Sequence, residues 1–146
     1  MIVTDANKLR IQCVPVELHE VPDLRKKLED ALAWSASRGR PGIGLACPQI
    51  GIGKSMAIVR LDGLMKFDLV NARITQRYDL FEFDGEGCLS FPNLYVKTKR
   101  YREILVEENL VPPHRFVLTE LGAIVAQHEL DHLNMVLLPD IAVIEA

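Results

Sequence analysis

His128-Glu129-Leu130-Asp131-His132 is the stretch that most limits how this chain can fold. Leu121, Ile124, Val125, His128 and His132 recur at intervals of three and four, so on a helix they share one face. Thr119 suits the N-cap, and Glu120 suits the electropositive first turn. A helix that buries Ile124 and Val125 therefore carries both histidines inward. Two buried imidazoles one turn apart need a shared partner, because an unpaired polar group in a dry interior is costly. A metal ion supplies that partner, with Glu129 beside it to handle protons. The competing reading, two solvated histidines on a polar face, conflicts with the apolar stripe.

Two histidines leave such a site incomplete. Catalytic sites of the zinc type usually take three protein ligands and keep one position for water. The chain has three cysteines, Cys13, Cys47 and Cys88, with no C-x-x-C pair. That pattern argues against a disulfide framework and against a zinc knuckle, and it suits a reducing cytoplasm. Cys88 lies in Glu86-Gly87-Cys88-Leu89-Ser90, where glycines let the backbone approach a ligand closely. Alone it reads as a small buried hydrophobe. With the histidine pentad downstream it becomes the candidate third ligand.

A third segment runs Gly42-Ile43-Gly44-Leu45-Ala46-Cys47-Pro48-Gln49-Ile50-Gly51. It is no phosphate loop, because no Lys-Ser/Thr follows the glycines, and Cys47 breaks the G-x-G-x-x-G spacing. It reads either as a turn leading into a strand at 55–60 or as a backbone that a ligand approaches. In the second case the Gln49 amide is a donor for a developing oxyanion.

Taken together, these segments resemble the peptide deformylase family. Its G-x-G-L-A-A-x-Q, E-G-C-L-S and Q-H-E-x-D-H motifs match Gly42 to Gln49, Glu86 to Ser90 and Gln127 to His132, in that order. Leu9-Arg10, Cys13-Val14-Pro15-Val16 and Val70-Asn71-Ala72 also look like family positions. The resemblance covers nearly the whole chain.

The resemblance implies one divalent metal ion per chain, held by Cys88, His128 and His132. Ferrous iron is the family's usual metal, and zinc, nickel or cobalt can replace it; a thiolate with two imidazoles suits several first-row ions. It implies Glu129 as the proton carrier. Gln49 and the Leu89 backbone N–H then stabilise the oxyanion while water attacks the formyl carbon of an N-formylmethionyl nascent peptide. Ile43, Gly44, Gly87, Ile124 and Val125 should border the methionine pocket, although plain core packing explains Ile124 and Val125 equally well. An extended peptide would add as a strand beside Ile43-Gly44. Glu86 is expected to pair with Arg100, and Asp131 to orient a ligand histidine.

The chain departs from the family pattern at several points. Cys47 replaces an alanine and reads as a small packed residue. Ala72 replaces a proline, and Met135 and Leu138 replace a glycine and a phenylalanine. Tyr95 stands where many members carry arginine. The short tail after the pentad resembles truncated members, some of them phage-encoded, which points to a viral or marine bacterial source.

Helical and strand patterns predict an α+β domain spanning residues 1–146. A first helix is expected over about 23–37 and the metal-site helix over about 119–137, packed on antiparallel sheets. Strands are expected at 55–60, 67–71, 73–83, 94–99, 101–108 and 115–118. The net charge of −3 gives no DNA-binding face. The run Lys97, Lys99, Arg100 and Arg102 reads as a solvated strand face, with transient ribosome contact as the alternative. No apolar run suits a membrane, and the expectation is a cytoplasmic monomer, in the bacterium or in the host of a phage. A zinc peptidase of the H-E-x-x-H type would need a downstream third ligand, and only Glu145 follows the pentad. A non-catalytic relative would need no Glu129.

Overall fold

The computed structural model describes residues 1–144. Its elements run α1 (Ala6–Leu9), α2 (Val21–Ser37), β1 (Gly44–Ala46), β2 (Met56–Leu61), β3 (Met65–Val70), β4 (Ala72–Cys88), β5 (Phe91–Glu108), β6 (His114–Thr119), α3 (Glu120–Leu133) and α4 (Leu138–Ile141). Two antiparallel sheets form, ordered β1-β2-β3 and β4-β5-β6, so the α+β class holds.

Helix α2 starts two residues before the expected 23. Pro22 sits in its first turn, where a missing N–H costs nothing. It buries Leu24, Leu28, Ala31, Leu32 and Ser35, again at intervals of three and four. Gly39, at φ +80, then turns the chain away.

Strand β2 separates the two helices. Met56, Ala57, Ile58 and Val59 are all fully buried. Alternate side chains of a strand point to opposite faces, so both faces must be covered. Met56 and Ile58 pack with Leu24, Leu28 and Leu32 of α2. Ala57 and Val59 pack with Ala123, Val125, Ala126 and Leu130 of α3. Ile104, Val106 and Leu118 of the second sheet join that same cluster, so α3 is gripped by both sheets.

Several boundaries differ from the sequence reading. The strands expected at 94–99 and 101–108 are one strand, β5. Arg100, which divides them in the sequence, is only 4% exposed and turns inward rather than solvating a surface. The strand expected at 73–83 runs on to Cys88 through register shifts between Phe83 and Glu86 and between Gly87 and Cys88.

The metal-site helix spans Glu120–Leu133 rather than 119–137. Thr119 occupies the cap position but makes no side-chain capping bond, because it is still paired with Glu103 in the sheet. Glu120, at φ +50, turns strand into helix with no loop between. At the other end the Asn134 side-chain amide donates to the Leu130 carbonyl at 2.8 Å, and Met135 at φ +62 stops the helix. Among the described residues no helix is long and apolar enough to cross a membrane.

Candidate active site

The last residue of β4 meets the third and fourth turns of α3. His128 and His132 lie one turn apart, with ring centroids separated by 5.1 Å. Cys88 Sγ is 3.4 Å from His132 Nε2. One ligand atom from each of Cys88, His128 and His132 falls within 4.8 Å of the others. That spread suits one ion with bonds of about 2.0–2.3 Å. Cys47 is not part of the cluster. It is fully buried beside Met56 and Leu45, and burial pushes its thiol up to about 12.

A carboxylate network fixes the histidine. Glu86 Oε2 is 2.7 Å from His128 Nδ1, which leaves the other ring nitrogen for the cluster. Glu86 also accepts from Thr98 Oγ1 at 2.7 Å and from Arg100 Nε at 2.8 Å. The expected Glu86–Arg100 pair is thus present. Asp131, by contrast, does not hold a histidine. Its Oδ2 accepts from Arg100 Nη1 at 2.7 Å, one step removed from the ring.

These groups shift one another strongly. Burial alone would raise Glu86, but hydrogen bonds from Arg100 and His128 outweigh it and hold the carboxyl at about 2. Burial opposes charge on His128, yet bonds to Cys88 and Glu86 and the nearby Glu129 raise it well above its ordinary value. His132 moves the opposite way, to about 3, through burial and the positive groups beside it. Burial raises Glu129 to about 7, against the charge on His128. The Glu129 carboxylate, buried in the same cleft wall as Cys88 and His128, is the group that a nearby cation would favour, which is the second reason a divalent ion fits. The third is that Glu129 Oε1 is buried without a hydrogen-bond partner among the described residues.

A cleft of about 640 Å³ opens beside this cluster. Its lining includes all five expected pocket residues, Ile43, Gly44, Gly87, Ile124 and Val125, together with Cys88, Leu89, His128 and Glu129. Gly44 leaves room for the carboxylate there: a Cβ at that position would stand 2.6 Å from Glu129 Oε2. Leu121, expected inward, is 41% exposed at the cleft edge. Gln49 and His132 are buried beside Cys88, which lines the cleft. The Gln49 amide oxygen accepts from the Ala46 N–H at 3.0 Å. Its nitrogen donates to Ser90 Oγ at 3.0 Å and lies 3.6 Å from Cys88 Sγ. Sequence reasoning missed Ser90 as a support for Gln49, and it missed Phe83 and Phe91 in the lining. A single buried serine carries no periodicity that could have marked it.

Comparison with known proteins gives a consistent picture. The polypeptide deformylase family model matches residues 1–143. A peptide deformylase of Heliobacterium modesticaldum is 35% identical over 133 residues, covering 82% of this chain and 87% of the relative. Peptide deformylase 1 of Bacillus subtilis is 38% identical over 136 residues, covering 84% and 82%. The crystal structure of peptide deformylase from Thermotoga maritima superposes with a TM-score of 0.83 at 29% identity, covering 99% of this chain and 97% of that one. A probable peptide deformylase from synechococcus phage S-SSM7 superposes at 0.81 with 32% identity, covering 97% and 98%.

Proposed function

The chain belongs to the polypeptide deformylase family, and from that premise we propose how its own residues carry out the reaction. The activity is that of the family: metal-dependent removal of the N-formyl group from formylmethionyl peptides of nascent proteins, with release of formate.

Cys88, His128 and His132 hold one divalent ion, and the native metal is ferrous iron, with zinc, nickel or cobalt able to replace it. When bound, the ion supplies Lewis acidity, which makes water nucleophilic near neutral pH. Glu129 takes the proton of the attacking water on its unpartnered Oε1 and delivers it to the departing amine. The Gln49 Nε2 and the Leu89 N–H donate to the formyl oxygen as it gains charge. The new bond joins water oxygen to the formyl carbon, the C–N bond breaks, and formate and a free N-terminal methionine result. Ile43, Gly44, Gly87, Ile124 and Val125 border the methionine side chain, and the unpaired edge of β1 receives the peptide as an added strand. Residues 1–146 act as one catalytic domain, a cytoplasmic monomer that meets the ribosome transiently.

The observation that carries this reading is the convergence of three ligand atoms and a buried, unpartnered carboxylate oxygen on one cleft. Protein purified anaerobically should contain one metal ion per chain, mostly iron, and release formate from formyl-Met-Ala-Ser. The Glu129→Ala variant should keep the metal and lose nearly all release. Metal-loaded protein that frees no formate would overturn the reading. Sedimentation at micromolar concentration tests the monomer.

A further inference from the structure

We propose that Arg40 is a positioning residue: its guanidinium holds the Leu89-Ser90 turn, and that turn sets both donors of the oxyanion site. The inference rests on the deformylase reading, in which the Leu89 N–H and Gln49 Nε2 donate to the formyl oxygen. Leu89 and Ser90 are the two residues that join β4 to β5, because Cys88 pairs directly with Phe91. Two-residue hairpin turns that match the twist of their strands need a positive φ at one or both residues. Neither Leu89 nor Ser90 has one. Contacts from outside the hairpin must therefore keep the turn in shape. On the buried side, the Ser90 hydroxyl accepts from Gln49 Nε2 at 3.0 Å. On the cleft side, Arg40 Nη2 donates to the Leu89 carbonyl at 3.0 Å. That carbonyl shares one peptide plane with the Ser90 N–H. Along the chain the plane lies between the Leu89 N–H and the side chain that holds Gln49, so fixing it constrains both donors.

Arg40 is itself anchored. The end of α2 grips its backbone: the Arg40 N–H donates to the Ser35 carbonyl at 3.0 Å, and the Arg40 carbonyl accepts from the Ser35 hydroxyl at 2.6 Å. Ser35 is buried. Two residues further on, Gly42 lies against the Leu89 side chain, and a Cβ there would stand 2.5 Å from Leu89 Cδ1 and 3.1 Å from Cγ. One short segment thus holds Leu89 at its carbonyl and at its side chain. A hydrogen bond from a charged donor is stronger than one between neutral groups, which suits Arg40 to this task. The carbonyl leaves the guanidinium charge unneutralised, so the competing role for Arg40 is to bind a carboxylate of the peptide. Peptide binding acts on KM, whereas positioning of the oxyanion donors acts on kcat.

The test compares the metal-loaded parent with Arg40→Met and Arg40→Lys in steady-state release of formate from formyl-Met-Ala-Ser. Arg40→Met keeps the apolar stem and removes the donor. It should lower kcat about tenfold and change KM by less than about twofold, a part of the roughly 10²–10³ lost with a whole oxyanion donor. Arg40→Lys keeps one charged donor for the one carbonyl, and it should lose less than about threefold in kcat. Nitrogen-15 spectra of the zinc-loaded protein supply a readout apart from turnover. The Ser90 amide, in the same peptide unit as the Leu89 carbonyl, should shift in Arg40→Met and stay near its parent position in Arg40→Lys. A loss carried by KM alone would make Arg40 a peptide-binding residue and overturn the positioning role. An unchanged kcat, or a Ser90 amide that does not move in Arg40→Met, would overturn it as well. Failure of the deformylase reading has a different signature: no formate from the metal-loaded parent, with the Ser90 amide still moving in Arg40→Met.

Discussion

Glu86 Oε2 lies 2.7 Å from His128 Nδ1, although 42 residues separate them along the chain. The contact orients the imidazole, and the same carboxylate neutralises Arg100, whose side chain is 5% exposed. Replacing Glu86 by Gln keeps the shape and removes the charge. Arg100 then retains only Asp131 at 2.7 Å. Breaking a buried pair from one side costs about 3 kcal/mol. We expect that loss in urea unfolding, together with a metal affinity about 10- to 100-fold weaker by chelator competition. Unchanged affinity would show that the helix alone sets the ring.

The Gln49 amide is pinned at Ala46 and Ser90, each at 3.0 Å. If it stabilises the oxyanion, Gln49→Leu should lower kcat by roughly 10²–10³ with little change in KM. Ser90→Ala should act through Gln49, lowering kcat by about tenfold and adding nothing in the double variant. Full additivity of the two losses in steady-state kinetics would separate Ser90 from Gln49.

Gly44 and Glu129 are in close approach. An alanine Cβ at 44 would stand 2.6 Å from Glu129 Oε2 and 3.1 Å from Val125 Cγ1. Either the carboxylate or β1 must move, and a shift of about 1 Å in a catalytic group costs on the order of 10²-fold in rate. Gly44→Ala should therefore lose kcat while retaining one metal ion per chain by elemental analysis. Loss of the metal as well would mean that the whole strand had shifted.

The placing of His128 and His132 together on the inward face of α3 was legible because its constraint is local. Apolar spacing along α3 turned His128 and His132 inward, and their burial demanded a partner. The fold class followed from strands between two helices. What spacing did not reveal is which carboxylate meets which imidazole. Asp131 sits closer to the histidines in sequence, yet Glu86 makes the contact, because the register shift in β4 buries that side chain. Arg100 looked like part of a basic surface run for the same reason: its charge is answered by residues far away in the chain. Helices α1 and α4, four residues each, are too short to show a period. Met135 fills a left-handed position, φ +62, where glycine is easier, so the stop of α3 had no composition signal.

Asp140 and Arg10 tie α4 to the N-terminal end of the chain through two contacts, 2.8 and 2.9 Å long. Asp140 Oδ2 also accepts from the Leu137 N–H at 2.8 Å. The Arg10 hydrogen bond, then that backbone bond, hold the Asp140 carboxyl down at about 2, against an ordinary 3.8. A carboxyl whose folded pKa is depressed contributes stability that is complete above its unfolded value and fades as pH falls toward the folded one. The pair is largely exposed, so solvent screens it and the contribution is small. Asp140→Asn removes the titration and keeps the shape. The urea midpoint of the parent should exceed that of the variant by a constant margin from about pH 7 to pH 5, and the margin should narrow below about pH 4. A margin that stays constant down to about pH 2.5 would show that the ionised carboxylate contributes nothing there, and that the variant differs from the parent through packing alone.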